Sequence, residues 1–233
     1  MSERAPTEPV GWAIRWGWNP PLWGEVGRSI WAPPRHRIHS IRRWYETVGP
    51  PVSLEEVVLH LRLDPAAVNG PEKPLLEMLT LSATRALEDY AQIAVMEQDW
   101  RMTLRNWPAV WTDGLELPFP PFRELFRIGV AGEWQDIADY RIELDEYRPA
   151  RLFPARGYWG ARYWPGRFDN ILIDYRAGAA KPEDVPPPIK QAILMAIGTW
   201  YENRESVQQF TLSPMLEIGW RHLIEPYREP GFS

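Results

Sequence analysis

Arginine and aromatic side chains supply the most conspicuous chemistry in this sequence. Over residues 156–167 the chain reads RGYWGARYWPGR, so Arg156, Arg162 and Arg167 interleave with Tyr158, Trp159, Tyr163 and Trp164. Guanidinium groups grip phosphates, and aromatic rings stack on bases. The same residue types also dominate the energetic centres of protein–protein interfaces. Charge separates the two readings. The chain carries 26 Lys and Arg against 31 Asp and Glu, a formal net charge of −5. A general nucleic-acid binder is usually basic, so the segment is read first as a protein-binding surface. A nucleic-acid or glycan binding module using this loop and the N-terminal segment is the alternative.

A second concentration of aromatics lies near the start. Six of the 14 tryptophans precede Pro51, namely Trp12, Trp16, Trp18, Trp23, Trp31 and Trp44. The pairs Pro20-Pro21, Pro33-Pro34 and Pro50-Pro51 punctuate the segment. Each proline removes a backbone donor and biases its predecessor towards extended geometry. Residues 1–50 are therefore expected to form an extended arm, with a short helix around 40–47. An arm of this composition cannot bury its own indoles, so its rings are expected to pack on another surface.

Other chemistry is sparse. There is no cysteine, which removes disulfides, thiol catalysis and thiolate metal sites. His36 and His39 are three residues apart, but neighbouring prolines spoil a shared helical face, and no acid completes a ligand set. His60 reads as a packing or surface residue. No phosphate-binding glycine loop, dinucleotide fingerprint, zinc-protease motif or nucleophile elbow occurs. Glu55-Glu56 is explained by a helix cap, and Glu88-Asp89 reads as a solvated helix face. Nothing selects a carboxylate pair for acid–base work. The expectation is a protein that is not an enzyme, with no cofactor and no metal. No apolar run approaches the roughly 20 residues that span a bilayer.

The elements follow from periodicity. Ser53-Leu54-Glu55-Glu56 is a capping box, opening a helix over 53–63 that Asp64-Pro65 ends. A second helix is expected over 71–94, with Asn69 as N-cap and a stripe of Leu75, Met78, Leu79, Ala83, Ala86, Leu87 and Tyr90. Residues 97–176 read as strands, notably 100–104, 115–118, 125–130, 140–144 and 171–175. A third long helix spans 187–205, where Ile189, Ala192, Ile193, Ala196, Ile197, Trp200 and Tyr201 step by three and four. A short helix is expected over 214–224. The fold class is α+β: a small bundle of three to four helices, a β-rich insertion at 97–176 and the arm 1–50, with 51–228 as one domain and 229–233 as a tail.

Several blocks, in order, resemble the head–tail connector, or head-completion adaptor, proteins of long-tailed phages and gene transfer agents. They are Pro51-Val52-Ser53-Leu54-Glu55-Glu56-Val57 running into His60-Leu61-Arg62-Leu63-Asp64; Ser82 to Tyr90, followed by Gln98-Asp99-Trp100-Arg101; Leu115-Glu116-Leu117-Pro118; Val185-Pro186 with Ile189 to Leu194; Trp200-Tyr201-Glu202-Asn203-Arg204-Glu205; and Leu223-Ile224-Glu225-Pro226-Tyr227-Arg228. The resemblance covers 51–228. It implies a structural virion protein, made in the host cytoplasm and located in the neck. Its partners would be itself, as a cyclic ring of about twelve copies, the portal protein, a tail-side stopper or tail protein, and genomic DNA passing non-specifically through the channel. No membrane is involved. The candidate interface residues are the six arm tryptophans, the seven residues named over 156–167, and Tyr227 and Arg228.

Overall fold

The structure is a computed structural model that describes residues 38–46, 49–105, 107, 114–145, 148–155, 171–203 and 214–228. All of these belong to one compact unit, His36–Ser233. Trp12, Trp16, Trp18, Trp23, Trp31 and the segment 156–167 lie outside the described residues.

Helix α1, Leu54–His60, opens on the expected capping box. The Ser53 hydroxyl accepts the Glu56 N–H at 3.2 Å, and the Glu56 carboxylate accepts the Ser53 N–H at 2.7 Å. A 3-10 turn, Pro65–Asn69, follows, capped by Asp64 through the Ala66 N–H at 2.8 Å. Asn69 thus closes this turn; it does not cap the next helix as the sequence suggests. Helix α2, Lys73–Ala91, starts after Glu72 without a side-chain cap. Its buried face is Leu76, Leu79, Thr80, Ala83, Thr84, Leu87, Glu88 and Ala91. The expected stripe is therefore rotated, and Met78 is 56% exposed. The Thr80 and Thr84 hydroxyls fit this face by donating to the Leu76 and Thr80 carbonyls, at 2.7 and 2.8 Å. Helix α3, Pro187–Glu202, buries the predicted Ile189, Ala192, Ile193, Ala196 and Ile197. Helix α4, Pro214–Ile224, docks by an indole bond from Trp220 to the Ala192 carbonyl at 3.1 Å. These helices share one apolar core that includes Val57, Leu76, Leu87, Ile193, Ile197 and Ile224.

The strands form a second core. Strands β1 (Ile38–Glu46), β2 (Gln98–Leu104), β3 (Leu115–Leu117), β4 (Phe122–Val130), β5 (Glu133–Gln135), β6 (Tyr140–Glu143), β7 (Ala150–Pro154) and β8 (Ile171–Ala177) make two antiparallel sheets. The larger has the order β1-β2-β8-β4-β5 and the smaller β3-β7-β6. Their apolar faces meet over Trp100, Met102, Leu104, Leu115, Leu117, Ile128, Leu152, Ile173 and Tyr175. In β2 and β8, period-two alternation sends every other side chain into this core. The fold class is α+β, with helices and antiparallel sheets holding separate cores. Where the sequence suggests a short helix around 40–47, the chain instead forms β1, a full member of the larger sheet paired along β2. Strands β5 and β7 are likewise absent from the sequence reading.

The two cores join where residues 94–97 cross 177–179. The Gly178 N–H donates to the Pro121 carbonyl at 2.8 Å, Ala179 N–H to Val95 at 3.1 Å, and Glu97 N–H to Ala179 at 2.9 Å. Gly178 has φ +100°, and a Cβ there would lie 2.1 Å from the Met96 carbonyl oxygen. Only glycine combines that conformation with so close a backbone approach. Gly178→Ala should therefore lower stability by about 2–4 kcal/mol, read as a shifted urea midpoint at unchanged slope.

Candidate functional site

The outward face of the larger sheet carries a row of side chains that crosses all five strands. In β2, Trp100, Met102 and Leu104 point into the core, so Asp99 and Arg101 point out. In β8, Ile171, Ile173 and Tyr175 point in, so Asp174 and Arg176 point out. Register places Asp174 opposite Arg101 on one side and Arg127 of β4 on the other. Arg101 donates two bonds to the Asp174 carboxylate, at 2.7 and 2.9 Å, and Arg127 donates one at 2.6 Å. A tryptophan caps each end. Arg101 lies 5.0 Å from the Trp44 ring of β1, and Arg127 lies 4.5 Å from the Trp134 ring of β5. The row reads Trp44, Arg101, Asp174, Arg127, Trp134.

Local irregularities build it. Arg43 pairs with the core residue Trp100 on the inner side, so alternation puts Trp44 on the outer face, and the register shift between Arg43 and Tyr45 brings Tyr45 there as well. A second shift, between Leu125 and Arg127 of β4, brings Arg127 to the same face. Trp134 lies over Gly129, its cross-strand partner, where a Cβ would meet the ring at 3.0 Å. A second, shorter row runs alongside: Arg176 binds Asp99 at 2.7 and 3.2 Å, approaches Glu97 at 3.4 Å, and lies 4.8 Å from the Phe126 ring.

Electrostatics fix the centre of this face. Asp174 is 1% exposed. Burial pushes its carboxyl up, but hydrogen bonds and charge from Arg101 and Arg127 outweigh that and hold it below its ordinary 3.8. Arg101 is correspondingly held more firmly protonated by its bonds to Asp174. Each arginine is thus clamped between a carboxylate and an indole, which limits its rotamers and keeps the flat faces of the tryptophans in place. Trp44 is 52% exposed and Trp134 56% exposed. Large, half-open rings beside arginine are the composition of an interface centre. Cation–π contacts of this exposure contribute about 0.5–1 kcal/mol each.

Behind the sheet, Glu88 of α2 is 2% exposed, not part of the solvated face that Glu88-Asp89 suggests. Its carboxylate accepts from Arg43 at 3.2 Å, Arg85 at 2.8 Å, the Val95 N–H at 3.0 Å and the Gln98 amide. Burial pushes this carboxyl above its ordinary value, against the pull of those donors. Arg43 also lies 5.0 Å from the Trp100 ring, which stacks on Phe119 at 3.9 Å. The signal for Glu88 is its place four residues after Thr84 on the same buried helical face.

The sequence-predicted site residues divide. Trp44 belongs to the exposed row. Tyr227 instead lines a cavity of about 230 Å³ with Ile93, Val95, Pro121 and Ile189. Arg228 lies 4.8 Å from the Tyr90 ring and 3.8 Å from Glu225. Both C-terminal residues thus contact their own helical layer. Arg101, Arg127, Asp174 and Trp134 were missed by sequence reasoning, because only strand register brings them together. Among the described residues no group of three or more His, Cys, Asp or Glu side chains could hold a metal ion. His36 lies outside the described residues.

Two outcomes follow from these networks. Glu88→Ala removes the shared buried acceptor of Arg43, Arg85, the Gln98 amide and the Val95 N–H, and should cost about 3–5 kcal/mol in urea unfolding. Asp174 has a depressed folded-state pKa, so its stabilisation is present above its ordinary value and is lost as pH falls through the lower folded value. Asp174→Asn should be less stable than the parent at neutral pH. The two stability curves should converge as pH falls below 3.8, measured by urea midpoints across that range.

No protein-family model matches the sequence, and no curated protein matches it. Solved structures do. A chain from the neck of an empty gene transfer agent particle, computed with C6 symmetry, superposes with TM-score 0.65 at 22% identity, covering 83% of this chain and 97% of that one. A chain from the virion of a native gene transfer agent particle gives 0.61 at 23% identity, with the same coverages. A chain from the neck of a native particle, computed with C12 symmetry, gives 0.58 at 20% identity, again covering 83% and 97%. The fold of this chain is therefore the fold of chains from gene transfer agent particles and their necks, in agreement with its resemblance to the head–tail connector proteins.

Proposed function

We propose that this chain is a structural subunit of a virion neck, an adaptor that assembles as a closed ring between portal and tail and extends the DNA channel. The observation that carries the reading is the shared fold, which spans 97% of each neck chain compared. The ordered sequence blocks over 51–228 support it independently. The symmetries of those necks, C6 and C12, favour a cyclic assembly of about twelve copies for this chain as well.

Physical features are consistent with that role. A ring subunit needs two different complementary patches, because its contacts run head to tail. The sheet row is one such surface, and the aromatic segments 1–37 and 156–167 are candidates for contacts with neighbours, portal or a tail-side protein. A net charge of −5 suits a channel wall that does not hold phosphates. In this reading the helices and the β-rich insertion form the ring body and the N-terminal segment is an arm.

The arm has a sharper boundary for experiment than composition gives. Residues 38–46 are strand β1 and supply Arg43 to Glu88. Deleting 1–37 should leave the cooperative unfolding of the remainder within about 1 kcal/mol of the parent and reduce assembled necks. Deleting 1–50 should destabilise the fold itself. Circular dichroism melts and electron microscopy of particles made with each truncation check both. A full yield of necks from the 1–37 deletion would remove the arm from assembly. Failure of the full chain to associate with portal in the same preparations would count against the adaptor role.

A further inference from the structure

The exposed row on the five-stranded sheet has a chemical complement elsewhere on the same chain. Arg42 stands opposite Arg101 in register and is exposed. From Arg42 through Arg101 and Asp174 to Arg127, the row carries three guanidiniums against one carboxylate, and tryptophans flank it. The complement is the stretch 133–145. It holds Glu133, Asp136, Asp139, Glu143 and Asp145 against Arg141, all exposed. Apolar side chains accompany these acids: Ile137 is 39% exposed and Leu144 70%.

Position matters as much as charge. The acidic stretch leaves the edge of the larger sheet at β5 and runs through β6, at the edge of the smaller sheet. Leu115, Leu117 and Leu152 of the smaller sheet point into the core shared with the larger one. Their neighbours Glu116 and Arg151 point the other way and pair at 3.1 Å. Glu143, opposite Arg151 in register, shares that outer side. The arginine row and the β6 end of the acidic stretch therefore lie on opposite sides of the two-sheet unit. A two-fold contact needs one self-complementary patch, whereas a ring contact needs two unlike patches on different sides.

We propose that the Arg/Trp row of one copy docks the acidic stretch around Glu143–Asp145 of a second copy, making the head-to-tail contact of a ring. The proposal rests on the ring reading above and names its contact residues. Trp44 and Trp134 supply apolar area for Leu144, and the guanidinium N–H groups not used on Asp174 face the carboxylates. Asp174 acts as a positioning residue, because it holds both arginines flat on the sheet.

Charge exchange in the full chain tests it, with sedimentation velocity and native mass spectrometry as readouts. Arg42→Glu and Glu143→Lys alter exposed side chains. Each should weaken self-association by about tenfold or more, and the double variant should recover most of it. Trp44→Ala with Trp134→Ala should weaken association about tenfold or more while the chain keeps the folded circular dichroism spectrum and a cooperative melt, shifted only by the loss of the two cation–π contacts. Rings of parental strength in the tryptophan double variant would overturn the contact while leaving a ring in place. No recovery in the charge-swapped variant would also overturn it. A parent chain that stays monomeric at the highest soluble concentration would overturn the contact and the self-assembling ring together. Loss of short-duplex DNA retention by Arg42→Glu, with oligomer strength unchanged, would assign the row to DNA and sink the proposal.

Discussion

Glu88 ties together the parts of this protein that the chain order keeps apart. Its carboxylate sits at the end of α2, among donors from β1, from its own helix, from the 92–97 connection and from β2. A buried carboxylate is costly unless every lone pair is met, and here arginines, an amide and a backbone N–H meet them. The consequence is geometric. Arg43 is anchored from behind the sheet, Trp100 is held between Arg43 and Phe119, and the start of β2 is fixed against α2. The helical core and the β core are separate apolar clusters, so a directional network must set how they meet. The crossing at Gly178 does the rest through backbone bonds.

That placement propagates to the outer face. With β2 fixed, antiparallel pairing puts Arg101 against Asp174 and then Arg127, with no freedom in register because a one-residue slip would turn Met102 and Ile173 to solvent. The same alternation that buries the core thus aligns the exposed charges. Bulges add the exceptions: they bring Tyr45 and Arg127 onto the same face as their neighbours Trp44 and Phe126, whose rings arginines cover. Rigidity of these side chains is useful in an interface, since ordering them in advance removes part of the entropic cost of association.

The fold is shared with neck chains of gene transfer agent particles, and the ring role proposed for this chain draws on that fold and on this surface. In the proposed ring subunit the work is done by surfaces, and the buried carboxylates Glu88 and Asp174 serve to hold those surfaces. A protein of this kind is recognised by which side chains its sheet displays and in what row.

The sequence by itself determined the local elements with strong internal signals. The capping box at Ser53, the three-and-four stepping of α3 and the alternation of β2 and β8 each follow from contacts within a few residues. The ordered blocks over 51–228 also carried the resemblance to connector proteins. Tertiary structure decided the rest. β1 was hidden because its bulges break alternation and its neighbourhood is rich in Pro and Trp, so pairing with β2 alone makes it a strand. β5 is three residues long and β7 ends on a proline, too little for a periodic signal. Glu88 looked like a surface acid because its partners lie 3 to 45 residues away in sequence. Arg101, Asp174 and Arg127 are separated by 73 and 47 residues. Side chains so far apart become one row only when strands pair, and no local pattern records that.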